Sequence, residues 1–285
     1  MTTIPPILMA VAVVTAMIMP LVASTVSVFA HNLGAIASRN DNTLNGSSES
    51  DIINGFEGND KLFGEGNNDI LDGGSGNDEI YGGEGNDEIK DENDSDLVDE
   101  AADYGNRVYG GSGNDKINVG IDYTRSDFYY VYGEDGSDYI KAISNADIKG
   151  GLEDDIIYCV GYECNVNGNE GNDEIHVLLY DVGSSINGGV GDDKVFGKGY
   201  SVNGDQGNDY LTLESAVELK GSEGDDVLGV LTPSWETYYN GGSGADIFNC
   251  SLGPGDVVED YNPEEGDVIS KECEVREDFD NDTLF

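Results

Sequence analysis

Residues 73–90 read GGSGNDEIYGGEGNDEIK, which is a single nine-residue pattern written twice. The pattern returns strictly in GGSGNDKIN (110–118) and GGSGADIFN (241–249), and near matches fill much of the chain between residues 46 and 250. Each strict unit has glycine at positions 1, 2 and 4, aspartate at position 6 and a large apolar residue at position 8. A fixed short period of this kind predicts a repeat architecture, in which one small structural unit is stacked many times.

The aspartate at position 6 gives the register of the repeat. From Asp51 to Asp87 the step between successive aspartates is nine residues, whereas beyond Asp115 it varies from 16 to 23. Asp96 falls in register, but the surrounding DENDSDLVD has lost its glycines, and we count it as a degenerate unit. The aspartates at this position are Asp51, Asp60, Asp69, Asp78, Asp87, Asp115, Asp138, Asp155, Asp173, Asp193, Asp209, Asp226 and Asp246.

Apolar residues explain why the period doubles. One apolar residue lies two positions after each aspartate, such as Ile157, and another lies two positions before the first glycine, such as Ile148. The separation across the motif is always nine residues, whereas the return from Ile157 to Val166 and its later equivalents varies from 7 to 11. This favours a coil of about 18 residues with two short strands and two turns, one fixed and one variable. In the first block both turns carry the motif.

The fold class follows from this coil. We expect an all-β protein, a right-handed parallel β-roll or β-helix solenoid of roughly eleven coils, in which each coil buries its apolar residues on its neighbours. The predicted blocks are 46–99, with the strict nonapeptide, and 100–250, with coils of about 18 residues.

The charge of the chain excludes several classes of function. Asp and Glu number 58 against 13 Lys and Arg, for a formal net charge of −45, and there are 2 His. Such a chain repels nucleic acid and anionic lipid, and two histidines leave little for zinc or imidazole chemistry. A disordered acidic chain is the alternative. The aliphatic residue two positions after each aspartate favours a folded chain over a disordered one.

The N-terminal segment differs from the rest of the sequence. Residues 7–30 carry no charge, and the segment ends in Val28-Phe29-Ala30. Residues 1–30 therefore resemble a signal peptide, although no Lys or Arg precedes the apolar run, and an uncleaved membrane anchor is the alternative. Either interpretation places residues 31–45, a linker, and the repeats outside the cytoplasm, either secreted or at the cell surface, with the mature domain not embedded in a membrane.

The repeated G-G-x-G-x-D-x-U-x pattern, with U a large apolar residue, resembles the RTX or haemolysin-type calcium-binding family. The resemblance implies that the cofactor is Ca²⁺, with several ions bound, and that the turns ligate them through the aspartates and backbone carbonyls. We expect the glycines to adopt positive φ and the Asn or Asp at position 5 to tolerate it. The glycines of the strict units are Gly73, Gly74, Gly76, Gly82, Gly83, Gly85, Gly110, Gly111, Gly113, Gly241, Gly242 and Gly244.

The family arrangement implies an ion between stacked turns on the same side of the coil. The pairs expected to share ions are Asp60 with Asp78, Asp69 with Asp87, and Asp173 with Asp193. Stacked carboxylates at about 5 Å repel by about 3 kcal/mol per pair at an effective dielectric near 20. We therefore expect the metal-free chain to be largely unfolded and metal binding to drive folding, with Mg²⁺ a poor substitute.

The four cysteines and the C-terminal segment predict two disulfides and a cap. Alternation places Cys159 and Cys164 inward on either side of one return turn, so that a Cys159–Cys164 disulfide is expected, with free buried thiols as the alternative. Cys250–Cys273 would then tie the last coil to the tail. Residues 251–285, which resemble the terminal segment that often follows RTX repeats, are expected to form a cap and an acidic tail.

The number of residues outside the repeats limits the possible functions. Few residues remain for a catalytic domain, and neither H-E-x-x-H nor G-x-S-x-G occurs. We expect a non-enzymatic cell-surface, adhesive or structural module whose partners, besides calcium, are a surface polysaccharide or other surface proteins. The tyrosines at 129, 130, 132, 238 and 239 form a carbohydrate-binding surface or fill wide coils. The alternative function is a secreted RTX-type enzyme or accessory module that acts on polysaccharide or peptide.

Overall fold

The computed structural model describes residues 35–36, 41–91, 104–120, 128–143, 145–179, 184–232, 236–250 and 255–275. These residues form 26 strands and no helix, and hence no helix that could span a membrane. The first strands are β1 (Ala35–Ile36), β2 (Thr43–Ser47), β3 (Ile52–Asn54), β4 (Lys61–Gly66), β5 (Ile70–Asp72), β6 (Glu79–Glu84), β7 (Glu88–Asp91), β8 (Tyr104–Ser112) and β9 (Lys116–Val119). The middle strands are β10 (Phe128–Asp135), β11 (Tyr139–Ala142), β12 (Asn145–Leu152), β13 (Ile156–Gly161), β14 (Cys164–Glu170), β15 (Glu174–Leu179), β16 (Ser185–Val190), β17 (Lys194–Lys198) and β18 (Ser201–Gln206). The last strands are β19 (Tyr210–Ser215), β20 (Glu218–Glu223), β21 (Val227–Val230), β22 (Tyr238–Ser243), β23 (Ile247–Asn249), β24 (Val257–Val258), β25 (Val268–Ile269) and β26 (Glu274–Val275).

The strands form two parallel sheets of 13 strands each. The odd sheet contains β1, β3 and so on to β25, and the even sheet contains β2, β4 and so on to β26. Every strand pairs with the strand two places away in sequence, as in β13 with β15, where Ile157 lies opposite Ile175. The chain therefore winds as a parallel β-solenoid, which confirms the predicted fold class.

The core is a double row of aliphatic side chains between the sheets. The period-2 alternation of each strand turns one side chain inward and its neighbours outward. The predicted core positions are all buried in the structure; they are Val131, Ile140, Ile148, Ile157, Val166, Ile175, Ile186, Val195, Val202, Leu211, Leu219, Leu228, Tyr239 and Phe248. Burying such side chains contributes about 1.5–3 kcal/mol each, as an upper estimate.

The stack extends beyond the block boundaries expected from the sequence. β1 and β2 begin within the segment read as a linker, and β24, β25 and β26 lie in the segment read as a cap. These last strands pair in register with the preceding coils, since Val258 lies opposite Tyr239. Residues 257–275 therefore continue both sheets. The predicted signal peptide at 1–30 and the acidic end of the tail lie outside the described residues, as does Asp96.

Two edges connect the sheets and differ in sequence. The motif edge consists of the turns that lead from an even strand to the next odd strand, such as residues 168–173 between β14 and β15. The return edge consists of the turns that lead from an odd strand to the next even strand. Asp60 and Asp78 lie on the return edge, and the other predicted aspartates lie on the motif edge. The doubled period therefore has the origin predicted from the apolar spacing.

Candidate calcium sites

The aspartates of the motif edge form one continuous hydrogen-bonded column. In each turn the aspartate backbone N–H donates to Oδ1 of the aspartate in the following coil, as Asp173 does to Asp193 at 2.7 Å. The same bond joins Asp69 to Asp87 at 2.7 Å, and the donor–acceptor distances along the column are 2.7–3.0 Å. The structure thus brings together the neighbours that the repeat predicts.

The second carboxylate oxygen of these aspartates is buried and accepts no hydrogen bond. Among the described residues of the motif edge this holds for Oδ2 of Asp69, Asp87, Asp115, Asp138, Asp155, Asp173, Asp193, Asp209 and Asp226, and it also holds for Asp60 on the return edge. A buried anionic oxygen without a hydrogen bond is costly, and an unexplained one requires a reason. The aligned Oδ2 atoms indicate that the motif edge is built for a positively charged group.

The first glycine of each motif makes room for the aspartate carboxylate of its own turn. A Cβ atom placed on Gly110 would lie 2.5 Å from Asp115 Oδ2 and 2.6 Å from the carbonyl oxygen of Gly133 in the next coil. A carboxylate oxygen of the same coil and a backbone carbonyl oxygen of the next coil therefore pack directly against the Cα of this glycine. Position 1 must be glycine for this steric reason.

Positive φ belongs to positions 2 and 4 of the motif, which corrects part of the sequence prediction. Gly111 and Gly113 have φ of 113° and 128°, whereas no position-1 glycine of the described turns has φ in this range. Glu65 and Asn67 take φ of 77° and 65° at the same positions of a turn that lacks the glycines. The left-handed conformation is therefore a requirement of the turn and persists where the glycine is lost.

The Asn or Asp at position 5 has a different role from the predicted one. These residues are absent from the positive-φ set of the described chain. Instead, Asp154 Oδ1 accepts the backbone N–H of Asn172 at 2.7 Å, and Asn172 Oδ1 accepts that of Asp192 at 2.9 Å. Position 5 thus accepts a hydrogen bond from the following coil, whereas position 6 accepts one from the preceding coil. The sequence alone does not distinguish these two ladders.

Burial perturbs the carboxylates of the column. Removal from water is the main cause that raises the pKa of Asp155 and Asp193 to about 8, and the N–H bond to each carboxylate acts in the opposite direction. For the same reason burial raises the pKa to about 7 at Asp69, Asp115, Asp138 and Asp226, and to about 6 at Asp173, Asp209 and Asp246. Near neutral pH these carboxylates therefore need either protons or a cation.

Protein groups close both ends of the column. Asp51 Oδ2 accepts the backbone N–H of Ser47 at 2.7 Å and its hydroxyl at 3.0 Å. At the other end, Asp267 Oδ1 accepts the N–H of Asp246 at 3.0 Å, while its Oδ2 accepts that of Asn262 at 2.7 Å. Asp267 was missed in the sequence, although Ile269 lies two positions after it. Asp51, which the repeat assigns to metal, thus differs from the aspartates in mid-column in that its Oδ2 accepts hydrogen bonds from Ser47.

The return edge has a continuous polar ladder only in the first coils. Asp60 N–H donates to Asp78 Oδ1 at 2.7 Å, and Asp78 N–H donates to Asn106 Oδ1 at 2.6 Å. Beyond Asn106 the interior of this edge is lined by buried Val119, Tyr129, Ala142 and Ala146. Single polar links return later, where Cys164 N–H donates to Ser184 Oγ at 2.8 Å and Thr237 N–H donates to Asp256 Oδ1 at 3.3 Å. The polar column is therefore discontinuous on this edge.

Disulfides follow where the continuous polar ladder of the return edge has ended. Cys159 and Cys164 are bonded across one return turn, with Cα atoms 6.2 Å apart, and Cys250 is bonded to Cys273. Both predicted disulfides are thus present, and the described chain has no free cysteine. Both disulfides link segments of the return edge at turns that have no motif aspartate.

The tyrosines have two separate roles. Tyr129 and Tyr239 are fully buried and fill the core of their coils. Tyr132 lies on the outer face of the even sheet, where its ring stacks on Tyr109 at 4.9 Å, in line with Tyr81. Stacking between coils covers the ring faces inside this row. This part of the row therefore presents mainly ring edges to solvent.

The donor set fits calcium. The groups that converge are hard oxygens, from carboxylates and backbone carbonyls, which is the chemistry that Ca²⁺ prefers at six to eight ligands. No cluster of three His, Cys, Asp or Glu side chains suited to a metal occurs in the described part of the chain.

A scan against family models matches the RTX calcium-binding nonapeptide repeat at residues 36–71, 63–98 and 101–122. Residues 36–122 therefore carry repeats similar to the RTX calcium-binding nonapeptide. Among solved structures, the chain resembles a hyperactive, Ca²⁺-dependent, β-helical antifreeze protein from an Antarctic bacterium, at 22% identity and a TM-score of 0.45. That alignment covers 88% of this chain and 80% of the other. No curated protein matches the sequence.

Proposed function

We propose that this RTX protein is exported and folds when calcium fills the motif edge, and that the folded solenoid acts as a structural or adhesive module at the cell surface. The observation that carries the proposal is the column of buried Oδ2 atoms without hydrogen bonds between Asp69 and Asp226. When bound, the ions supply positive charge and oxygen coordination between neighbouring turns. Each aspartate accepts a backbone N–H hydrogen bond at Oδ1 and leaves Oδ2 for the ion.

Export is supported by the redox chemistry of the chain and by its uncharged N-terminal segment. Disulfides such as Cys159–Cys164 form and persist in oxidising compartments. Extracellular calcium-binding modules of weak affinity, with Kd of about 10⁻⁴–10⁻³ M, are filled outside the cell but not in the cytosol. The chain would thus cross the membrane unfolded and fold on the far side.

A non-enzymatic role is part of the proposal. Acidic pairs such as Asp192 and Asp193 occur in three motif turns, and turns that lack the pair form the same backbone hydrogen bonds at the same two positions. A repeated structural ligand explains this regularity better than many copies of a catalytic pair. Turnover of alginate, casein or ester substrates by the purified protein would contradict the non-enzymatic role without affecting calcium-driven folding.

Circular dichroism on the chelated protein tests calcium-driven folding. Millimolar Ca²⁺ should restore the β signal and the near-ultraviolet signal of the packed aromatic residues, whereas equal Mg²⁺ should restore little, because Mg²⁺ demands a tighter octahedral shell. Calorimetric titration should show several ions bound per chain, coupled to folding. A protein that stays folded and equally heat-resistant in excess chelator at pH 7.5 would refute the proposal. Secretion is tested separately by locating the chain in its native cells.

A further inference from the structure

The outer face of the odd sheet carries a stripe of exposed apolar side chains. The stripe occupies the position directly after the motif aspartate, from Ile52 in β3 to Val268 in β25, one side chain per strand. Ile52, Ile70, Tyr139, Ile156 and Tyr210 in this stripe are 36–48% exposed. Scattered exposed apolar residues are normal, but a row to which most strands of one sheet contribute an apolar side chain indicates a contact surface.

The even sheet has no such stripe at the matching position. There the outward column contains Lys61, Glu79 and Arg107 in β4, β6 and β8, and later Asp147 and Ser201. The two sheets therefore bury similar cores but present different outer faces. Core packing does not explain this difference, because the side chains concerned point away from the core.

The stripe is also free of net charge. Its charged members are Glu88 with Lys116 and Glu174 with Lys194, two acids and two bases that lie in neighbouring strands. Lys116 Nζ lies 3.0 Å from a Glu88 carboxylate oxygen within the chain. In a molecule with a net charge of −45, two copies repel each other over most approaches. A neutral apolar face is where they can meet.

The order of residues along the stripe is self-complementary. A two-fold axis between β11 and β13, parallel to the strands, would place two copies face to face with their solenoid axes antiparallel. The facing pairs would then be Tyr139–Ile156, Lys116–Glu174, Glu88–Lys194, Ile70–Tyr210 and Ile52–Val227. Each pair is apolar with apolar or base with acid. If the copies instead ran in the same direction in register, Glu88 would face Glu88 and Lys116 would face Lys116.

The extent of the stripe suffices for a dimer. Ten strands at about 4.8 Å spacing give a length of about 43 Å, and four residues per strand give a width of about 13 Å. Two copies would bury about 1,100–1,200 Å² in total, which is at the lower limit of specific interfaces. We propose that this stripe on the odd sheet is the interface of an antiparallel homodimer, with a second copy of the chain as its partner.

A charge placed at the two-fold axis tests the interface. The full chain in 5 mM Ca²⁺ should sediment as a dimer at micromolar concentration. Ile156→Glu should raise the dimer dissociation constant by at least ~100-fold, because the symmetry counts the substitution twice and a carboxylate would be buried against Tyr139. Leu152→Glu is the matched control: Leu152 is 38% exposed, against 40% for Ile156, but lies outside the stripe. It should leave the dimer unchanged.

A charge exchange tests the antiparallel register. Lys194→Glu would place two acids opposite each other at two symmetry-related points and should shift the chain to monomer. Adding Glu88→Lys should restore the dimer, because the pair is reversed. Circular dichroism and calcium titration on every variant must match the wild type, so that loss of the dimer is distinguished from loss of folding.

Several outcomes would overturn the proposal. They are a wild-type chain that is folded in calcium and monomeric at 100 μM, an Ile156→Glu dimer as tight as the wild type, and a double variant that stays monomeric. Binding of the monomeric wild type to neutral phosphatidylcholine vesicles, lost in Ile156→Glu, would assign the stripe to a lipid surface instead of a second copy. Failure of calcium-driven folding would show as altered circular dichroism and would count against the proposed function alone.

Discussion

The two edges of the solenoid connect the same two sheets in different ways. On the motif edge every described coil repeats one turn, and the aspartate column runs from Asp51 to Asp267. On the return edge the continuous polar ladder ends at Asn106, and apolar side chains, the Cys159–Cys164 disulfide and isolated polar links take its place. An ion between turns demands fixed backbone geometry, whereas an apolar or disulfide-closed turn tolerates different lengths. This explains why the separation across the motif is constant while the return varies.

The largest expected difference between the edges is in their response to pH without calcium. In the calcium-free fold, burial raises the pKa of the motif-edge aspartates from 3.8 to about 6–8. The folded chain then binds more protons than the unfolded chain between about pH 4 and pH 8, and its stability falls as pH rises through this window. Calcium should reverse the sign, because ions replace the protons.

Thermal melting followed by circular dichroism measures this effect. Chelated and dialysed protein should be most stable near pH 4–5 and unfolded near pH 8, whereas the calcium-loaded protein should gain stability from pH 5 to pH 7.5. A melting temperature of the calcium-free protein that increases with pH would contradict the structure of the motif edge.

A single aspartate in mid-column gives the next largest effect. Asp173→Asn keeps the Oδ1 acceptor for the N–H of Asp155 but removes the charge that faces the ion. In saturating calcium it should lower the free energy of unfolding by about 3 kcal/mol and reduce the number of bound ions by one or two. In chelator near pH 6, where part of the calcium-free chain is still folded, it should be neutral or stabilising, since it relieves repulsion.

The neighbouring Asp154 provides the control for Asp173. Asp154→Asn removes the same charge from the same turn, but Asp154 is exposed and its Oδ1 bond to Asn172 can be kept. Its effect on unfolding in calcium should stay within about 0.5 kcal/mol. Equal effects of the two substitutions would show that the net charge, and not the ion site, determines stability.

These contrasts show how far the sequence predicts the molecule. The spacing of Asp and aliphatic residues predicts the two-strand coil, because periodicity and alternation determine which side chains point inward. It does not predict that Gly110 is needed for the space beside Asp115, or that Asn172 bonds the next coil, because both depend on contacts between coils. Asp267 escapes a pattern search because its turn has lost the glycines while its hydrogen bond to Asp246 remains.

The disulfide of the return edge should have a smaller effect that does not depend on calcium. It closes a loop with a sequence separation of 5, for which loop-closure entropy gives about 2 kcal/mol. Replacement of both Cys159 and Cys164 by alanine should therefore lower the free energy of unfolding by about 2 kcal/mol at high and at low calcium. Denaturant unfolding at two calcium concentrations measures it, and the number of bound ions should not change. A loss of bound ions would show that the two edges are coupled, which the structure does not predict.

The smallest effect concerns backbone strain on the motif edge, and its sign is the test. Glu65 occupies position 2 of its turn with φ of 77°, opposite Gly83 in the next coil, whereas exposed Glu84 lies at position 3 outside the positive-φ set. Glu65→Gly should stabilise the calcium-loaded chain by about 0.5–1 kcal/mol. The left-handed conformation costs a non-glycine residue about 1–2 kcal/mol, and relief of this strain exceeds the cost of the entropy that glycine adds to the unfolded chain. Glu84→Gly removes the same charge without relieving strain and should destabilise by about 0.5–1 kcal/mol. Denaturant unfolding measures the change in the free energy of unfolding for both variants, which lose the same charge. Changes of opposite sign would assign the difference to backbone geometry. Changes of the same sign would show that the ion does not hold position 2 in a left-handed conformation.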